Sequence, residues 1–236
     1  MADFFVAGCD TGVGKTLVSC MILHALNQRG MPAFGMKPVA TGCQVIKGKT
    51  RNQDAMALQR FSSWPVPYEW VNHYAFAPPV APSIAAKQSD VRVEMHVIRA
   101  DFCRLRANGG HVVVESAGGW YTPISDEQYM KDIALALDIP VILVVPLKLG
   151  CLNQAMLTSR AIRQDGGRLV GWVANQMATD LDHVEEQIGM LDRCLNIPRI
   201  ASVPVLSELS DDTIVSMANR DLGPDTAFGQ LLGPVL

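Results

Sequence analysis

The sequence predicts a single α/β domain, a mainly parallel sheet flanked by helices, and three observations predict it. Short unbroken apolar runs such as Val112-Val113-Val114 and Val141-Ile142-Leu143-Val144-Val145 recur along the chain, as expected of strands covered on both faces. Helical stretches separate these runs, and a parallel sheet needs such crossovers. The chain has 236 residues, 49% of them hydrophobic, and at roughly 150 residues per domain that suits one large core or two small ones. No fixed-period repeat, low-complexity tract or Ser/Gly linker divides it, so one domain over residues 1–236 is expected.

The elements follow in order. Phe4-Phe5-Val6-Ala7 is a short buried strand, followed by a Gly-rich turn and a helix from about Lys15 to Gln28. Ala33 to Val39 fits a second strand, and a loop rich in Gly, Lys and Thr comes next. A helix over Asn52 to Arg60 has Asn52 as its cap, because a short side-chain oxygen can accept the first free N–H groups. Pro65, Pro67, Pro78, Pro79 and Pro82 make Trp64 to Pro82 unfit for regular structure, since proline lacks an N–H and locks φ. A helix over Val91 to Ala107 stops at Asn108-Gly109-Gly110. The strand His111 to Glu115 then ends in a carboxylate. Helices near Gln128–Leu137, Leu152–Gln164 and Asp182–Cys194 alternate with strands Val141–Val145, Leu169–Ala174 and Ile200–Val203. Residues 207–236 match no pattern.

Composition excludes several classes. Only 18% of residues are charged, the net charge is −3 and the pI is about 5.9. Disordered chains and general nucleic-acid binders look different. Six cysteines (9, 20, 43, 103, 151, 194) form no C-x-x-C pair, which suggests scattered reduced thiols and a cytoplasmic location. The five histidines include no close pair, so no zinc site is expected. The first residues lack a basic n-region and a long apolar core. The longest apolar run, Ile139 to Leu147, contains two prolines and is too short to span a bilayer. Neither nucleic acid nor membrane is an expected partner.

The chemistry concentrates in Gly8-Cys9-Asp10-Thr11-Gly12-Val13-Gly14-Lys15-Thr16, between the first strand and the first helix. Small residues there let backbone N–H groups wrap phosphates, and the helix start adds partial positive charge. Lys15 would reach the β- and γ-phosphates, and the Thr16 hydroxyl would bind Mg²⁺. Five residues separate Gly8 from Gly14, where the usual Walker A loop has four. Glu115 ends an apolar strand, the usual place of a second Mg²⁺ ligand in a P-loop fold. On pattern alone, Asp54 reads instead as a carboxylate that complements a helix dipole.

With Thr11, Gly14-Lys15-Thr16, Lys37-Pro38-Val39 and Glu115-Ser116-Ala117-Gly118-Gly119 assembled, the chain resembles the dethiobiotin synthetases. Leu147-Lys148-Leu149-Gly150-Cys151-Leu152-Asn153 and Gly171-Trp172-Val173-Ala174-Asn175 add to the resemblance, which covers about residues 3 to 206. The longer spacing from Gly8 to Gly14 is this family's variant. Ser116 and Thr41 are mild departures, where Gly and Ser are common. The resemblance implies an ATP-dependent ligase that turns 7,8-diaminopelargonic acid and CO₂ into dethiobiotin, ADP and phosphate, the penultimate step of biotin synthesis. It implies a carbamate, then a carbamic–phosphoric anhydride, then ring closure by the second amine.

The family's residues carry over onto matching positions. Thr11, Lys15 and Lys37 would serve the transferring phosphoryl and the carbamate. Thr16, Asp54 and Glu115 would hold Mg²⁺. Gly12, Val13, Gly14, Leu17, Ser116, Ala117 and Gly118 would lie against the nucleotide. Asn175, Gln176, Pro204, Val205 and Leu206 would frame the base, with the Asn175 amide matched to the N6/N7 edge of adenine. Thr41 would hydrogen-bond the diamine. Gly150, Cys151 and Asn153, opening a helix, would take the substrate's distal carboxylate. In this family that helix start faces the neighbouring subunit's site, which implies a homodimer.

The competing reading is a P-loop switch ATPase of the partitioning or cluster-carrier type. Such proteins place a lysine early in the loop, where this chain has Asp10. Amidotransferase synthetases run far longer, and a small-molecule kinase leaves the Lys37 and Gly150 regions without a task.

Overall fold

A computed structural model describes residues 2–179, 181–206 and 208–233. The first third comprises β1 (Phe4–Gly8), α1 (Lys15–Gln28), β2 (Ala33–Met36), β3 (Val39–Ala40), β4 (Gln44–Ile46), β5 (Lys49–Arg51), α2 (Gln53–Phe61), α3 (Tyr68–Val71) and β6 (Tyr74–Ala75). The middle comprises α4 (Pro82–Gln88), α5 (Met95–Ala107), β7 (His111–Gly119), α6 (Met130–Leu137), β8 (Val141–Leu147) and α7 (Cys151–Gln164). The last part holds β9 (Leu169–Gln176), α8 (Val184–Leu195), β10 (Arg199–Val203), α9 (Asp211–Asp221) and α10 (Ala227–Leu232).

Six strands pair in the order β10-β9-β8-β1-β7-β2, and every pair is parallel. The β8 strand is buried along its whole length, the burial expected of a strand covered on both faces. From β1 the chain crosses to β2 on one side, and from β7 it returns to β8 on the other. The strand order therefore reverses around β1, and such a switch point opens a crevice beyond the carboxyl ends of the strands. The loop after β1 sits at that crevice.

The α1 helix has no wide polar face. Ten of its residues, among them Leu17, Met21, Ile22 and Leu26, are buried, because α2, α9 and the sheet cover it. A helix apolar nearly all round belongs inside a domain. The unassigned segment supplies part of this cover. Ser210 caps α9 by accepting from Thr213 N–H at 3.2 Å, α9 lies on α1 and α10 lies on β10. Phe228 of α10 is fully buried with its ring 5.9 Å from that of Phe4. Ser207 and residues 234–236 of that segment lie outside the described residues.

Three expectations need correction. The second strand does not run to Val39. It stops at Met36, because Pro38 has no N–H for the ladder, and Val39–Ala40 pairs separately with Tyr74–Ala75. The loop after it contains a hairpin, β4 against β5, whose turn residues Lys47 and Gly48 have φ of 52° and 74°. The proline-rich stretch holds α3 and β6, and Pro82 opens α4, where its missing N–H costs nothing. In addition, α5 starts at Met95 rather than Val91, and β7 runs on to Gly119.

Candidate active site

The first helix and its loop determine the shape of the crevice. Gly12 and Gly14 have φ of +71° and +90°, a conformation that glycine adopts without a Cβ penalty. At Gly14 a Cβ would also come within 2.2 Å of Asn175 Nδ2. That nitrogen donates to Val13 O at 2.8 Å and approaches Met177 Sδ at 3.1 Å. The end of β9 is thereby tied to the loop. The Asn175 oxygen, Oδ1, is the half of the amide left to a ligand.

A cavity of about 970 Å³ opens here. Thr11 through Leu17 line it without a break, and Lys37, Thr41, Asp54 and Glu115 face it from the neighbouring elements. Ala117 and Gly118 lie on its wall, and Asn175, Gln176, Pro204, Val205 and Leu206 close one end. Pro79, Val80, Ala81 and Pro82 form another wall, which gives the proline-rich stretch a place beside the site. Asn52 and Met177 also line it, and no sequence signal pointed to either as a wall residue. Ser116 is buried and outside this lining. Gly150, Cys151 and Asn153 are likewise outside it. Cys151 is buried with its Sγ donating to Gln187 Oε1 at 3.1 Å, and Asn153 is exposed.

The charged groups form one cluster. Lys37 Nζ lies 2.6 Å from Glu115 Oε1 and 2.8 Å from Asp54 Oδ2, and Thr16 Oγ1 donates to the same Glu115 oxygen at 2.9 Å. Lys37 and Glu115 are almost fully buried, whereas the Asp54 side chain is 42% exposed. Burial works against the Lys37 ammonium, but Glu115 and Asp54 outweigh it and hold its pKa above the usual lysine value. Burial pushes the Glu115 carboxyl up, with Lys37 pulling against it. Burial also raises Asp54, yet Lys37, then Thr16 and Lys15, bring it below the usual carboxylate range. Two of the three donors of the Lys37 ammonium are engaged, which leaves one for a ligand. The opposite oxygen of Glu115, Oε2, is buried with no partner, a condition that native interiors rarely tolerate without a ligand, ion or water.

Lys15 Nζ donates to the Asp10 carbonyl at 2.7 Å. Burial, then the nearby Lys37 ammonium, push its pKa down to about 8. Negative phosphates beside it would favour the charged form again. Nucleotide binding at pH 8 is therefore expected to take up about half a proton per site, and uptake should fall towards zero below pH 7. Titration calorimetry of MgATP in buffers of different ionisation enthalpy reads this directly. Uptake that does not change between pH 7 and 8.5 would show that Lys15 is not the group involved.

Among known proteins, the family described as "AAA domain" matches residues 2–213. An ATP-dependent dethiobiotin synthetase BioD from Xylella fastidiosa is 45% identical over 204 residues, 86% of this chain and 90% of the relative. One from Vibrio vulnificus is 40% identical over 222 residues, 94% of this chain and 98% of the relative. Among solved structures, the MinD cell division protein of Aquifex aeolicus superposes with a TM-score of 0.54 at 15% identity, covering 100% of this chain and 98% of that one. A ParA family ATPase from Chlorobium tepidum gives 0.50 at 13%, covering 93% and 90%. At such identities the likeness is one of fold alone.

Proposed function

The chain belongs to the ATP-dependent dethiobiotin synthetase family, and from that premise we infer that it forms dethiobiotin from 7,8-diaminopelargonic acid, CO₂ and ATP in biotin synthesis. The observation that best supports this reading is the cluster of Lys37, Glu115, Asp54 and Thr16 beside the phosphate loop. A switch ATPase carries its second lysine early in the phosphate loop, whereas here the second lysine comes from the end of the second strand and joins the carboxylates. Asp10 stands where those proteins carry their early lysine.

One amine of the diamine takes up CO₂, releasing a proton, and becomes a carbamate. A carbamate oxygen attacks the γ-phosphorus, the bond to the bridging oxygen breaks and ADP leaves. The second amine then attacks the carbonyl carbon, closes the ureido ring, loses a proton and expels phosphate. No bond to the protein is needed, so positioning and charge neutralisation carry the rate. Lys15 serves the transferring phosphoryl, with Thr11 and the loop amides around it. The free donor of Lys37 serves the carbamate and the developing anhydride. Thr41, which lines the pocket, holds the diamine.

The residues present suit Mg²⁺. Glu115 Oε2 is a buried carboxylate oxygen without a partner, and oxygen donors from Thr16, Asp54 and phosphate are what the ion prefers. When bound, it would neutralise phosphate charge and orient the γ-phosphoryl. For the base, Asn175 Oδ1 would accept from the 6-amino group of adenine while the amide nitrogen stays on Val13 O.

The substrate's distal carboxylate is assigned to Gly150, Cys151 and Asn153 of a second subunit. Two features support this: these residues lie outside the lining of their own chain's pocket, and Leu149 beside them is 96% exposed. Asn153→Ala is expected to raise KM for the diamine about tenfold, the loss of a hydrogen bond to a charged group, and to leave KM for ATP nearly unchanged. An ATP-specific defect would show that the helix start is misassigned. A cytoplasmic location suits the six free cysteines, and among the described residues no helix is long and apolar enough to cross a membrane.

The deciding experiment is phosphate release by the purified protein with MgATP and bicarbonate, with and without the diamine. Release that requires the diamine and yields dethiobiotin is expected. Release indifferent to it would favour the switch ATPase.

A further inference from the structure

Lys37 stands outside regular structure. The β2 strand ends one residue earlier, and its peptide would lack partners without the segment around α3. Lys37 N–H donates to Val71 O at 2.7 Å, and Asn72 Nδ2 donates to Lys37 O at 2.7 Å. Asp54 depends on a different support. Asn52 Oδ1 caps α2 by accepting from Asp54 N–H at 3.1 Å and Ala55 N–H at 3.2 Å. Burial does little to hold the Asp54 end of the Lys37–Asp54 pair, because the Asp54 side chain is 42% exposed. The two backbone supports are therefore what fix where each side chain starts.

One buried hydroxyl joins those supports. Tyr68 Oη accepts from Asn52 N–H at 2.8 Å and donates to Asn72 Oδ1 at 3.0 Å. Its ring lies under the Arg51 guanidinium, 3.9 Å from the ring centroid, and the residue is only 8% exposed. Tyr68 does not line the pocket. We propose that Tyr68 is a positioning residue for phosphoryl transfer: its hydroxyl locks the peptide carrying Lys37 to the helix start carrying Asp54. The inference rests on the proposed roles of Lys37 and Asp54, and it adds a residue that touches neither nucleotide nor substrate.

The test is Tyr68→Phe, which removes one oxygen and keeps the ring. Small misplacements of reacting groups are costly, so kcat should fall about ten- to a hundredfold while KM for ATP stays within about threefold. A second readout needs no turnover. The Cε resonance of Lys37 in ¹³C-lysine-labelled resting protein, assigned through Lys37→Arg, should shift in Tyr68→Phe. Leu105→Val, in the buried core of α5, is the control for destabilisation alone and should move neither kcat nor that resonance. Wild-type kcat with an unmoved resonance in Tyr68→Phe would overturn the proposal. So would an equal loss of kcat in Leu105→Val. Should Tyr68→Phe fail to fold, Asn72→Ser breaks the same link at the Lys37 carbonyl and must give the same pattern. A wild-type protein without diamine-dependent phosphate release would instead overturn the functional reading, and the Lys37 resonance would still report on Tyr68.

Discussion

Lys37→Ala is expected to lower kcat for diamine-dependent phosphate release by about 10²–10³, the usual loss when one preorganised charge-stabilising donor is removed, with little change in KM for ATP. The split follows from where the two lysines sit. Lys15 belongs to the phosphate loop and bonds to its backbone, so its removal is the change expected to fall on nucleotide binding. Lys37 comes from the end of the neighbouring β2 edge and reaches the cluster across β7. Its ammonium also balances the carboxylate of Glu115, which is 1% exposed. Stripping one partner from a buried ion pair leaves an uncompensated charge and costs about 3–5 kcal/mol. A lower melting temperature should therefore accompany the loss of turnover. Lys37→Met, which restores length without charge, should recover some stability and none of the rate. A defect confined to ATP affinity would remove Lys37 from the reaction.

The ease of reading this site from sequence depended on how local each part is. The phosphate loop was legible because strand, glycines, Lys15 and helix lie within a few residues of each other. Asn52 as a helix cap was legible for the same reason, and the structure has it accepting from Asp54 and Ala55. Lys37 was different. Nothing near it in sequence indicates that β2 pairs with β7 and brings its end to Glu115, so only family resemblance singled it out. Asp54 misled for a related reason: a carboxylate in the first turn of a helix looks like a dipole partner until Lys37 is seen 2.8 Å away. The hairpin of β4 and β5 leaves no clear mark in the sequence because each strand is three residues long and its turn is Lys47-Gly48 rather than the usual Asn-Gly. Tyr68 was hidden among prolines that argued against any ordered role.

The second large effect is expected from Glu115→Gln. The substitution keeps shape and one acceptor oxygen but removes the charge, and the single oxygen Oε1 now receives both Lys37 Nζ and Thr16 Oγ1. If the amide oxygen keeps those two donors, its NH₂ replaces Oε2, which is buried without a partner. A donor there cannot serve a cation. If the amide turns over, the Thr16 hydroxyl can rotate to accept from it, but the Lys37 ammonium, which has no acceptor, faces another donor. Neither orientation works, so kcat should fall about 10²–10³-fold, as for loss of a preorganised electrostatic group. Loss of a metal-supporting carboxylate weakens binding by roughly 10–100-fold, so half-maximal activity should need that much more Mg²⁺. The Mg²⁺ dependence separates two roles for this residue. If Glu115 serves only as the counter-charge of Lys37, the variant should lose stability and rate with its Mg²⁺ requirement unchanged. A Mg²⁺ requirement that rises while the fold holds would mark Glu115 as a ligand of the ion as well, because no loosening of Lys37 alone raises the concentration of cation the reaction needs.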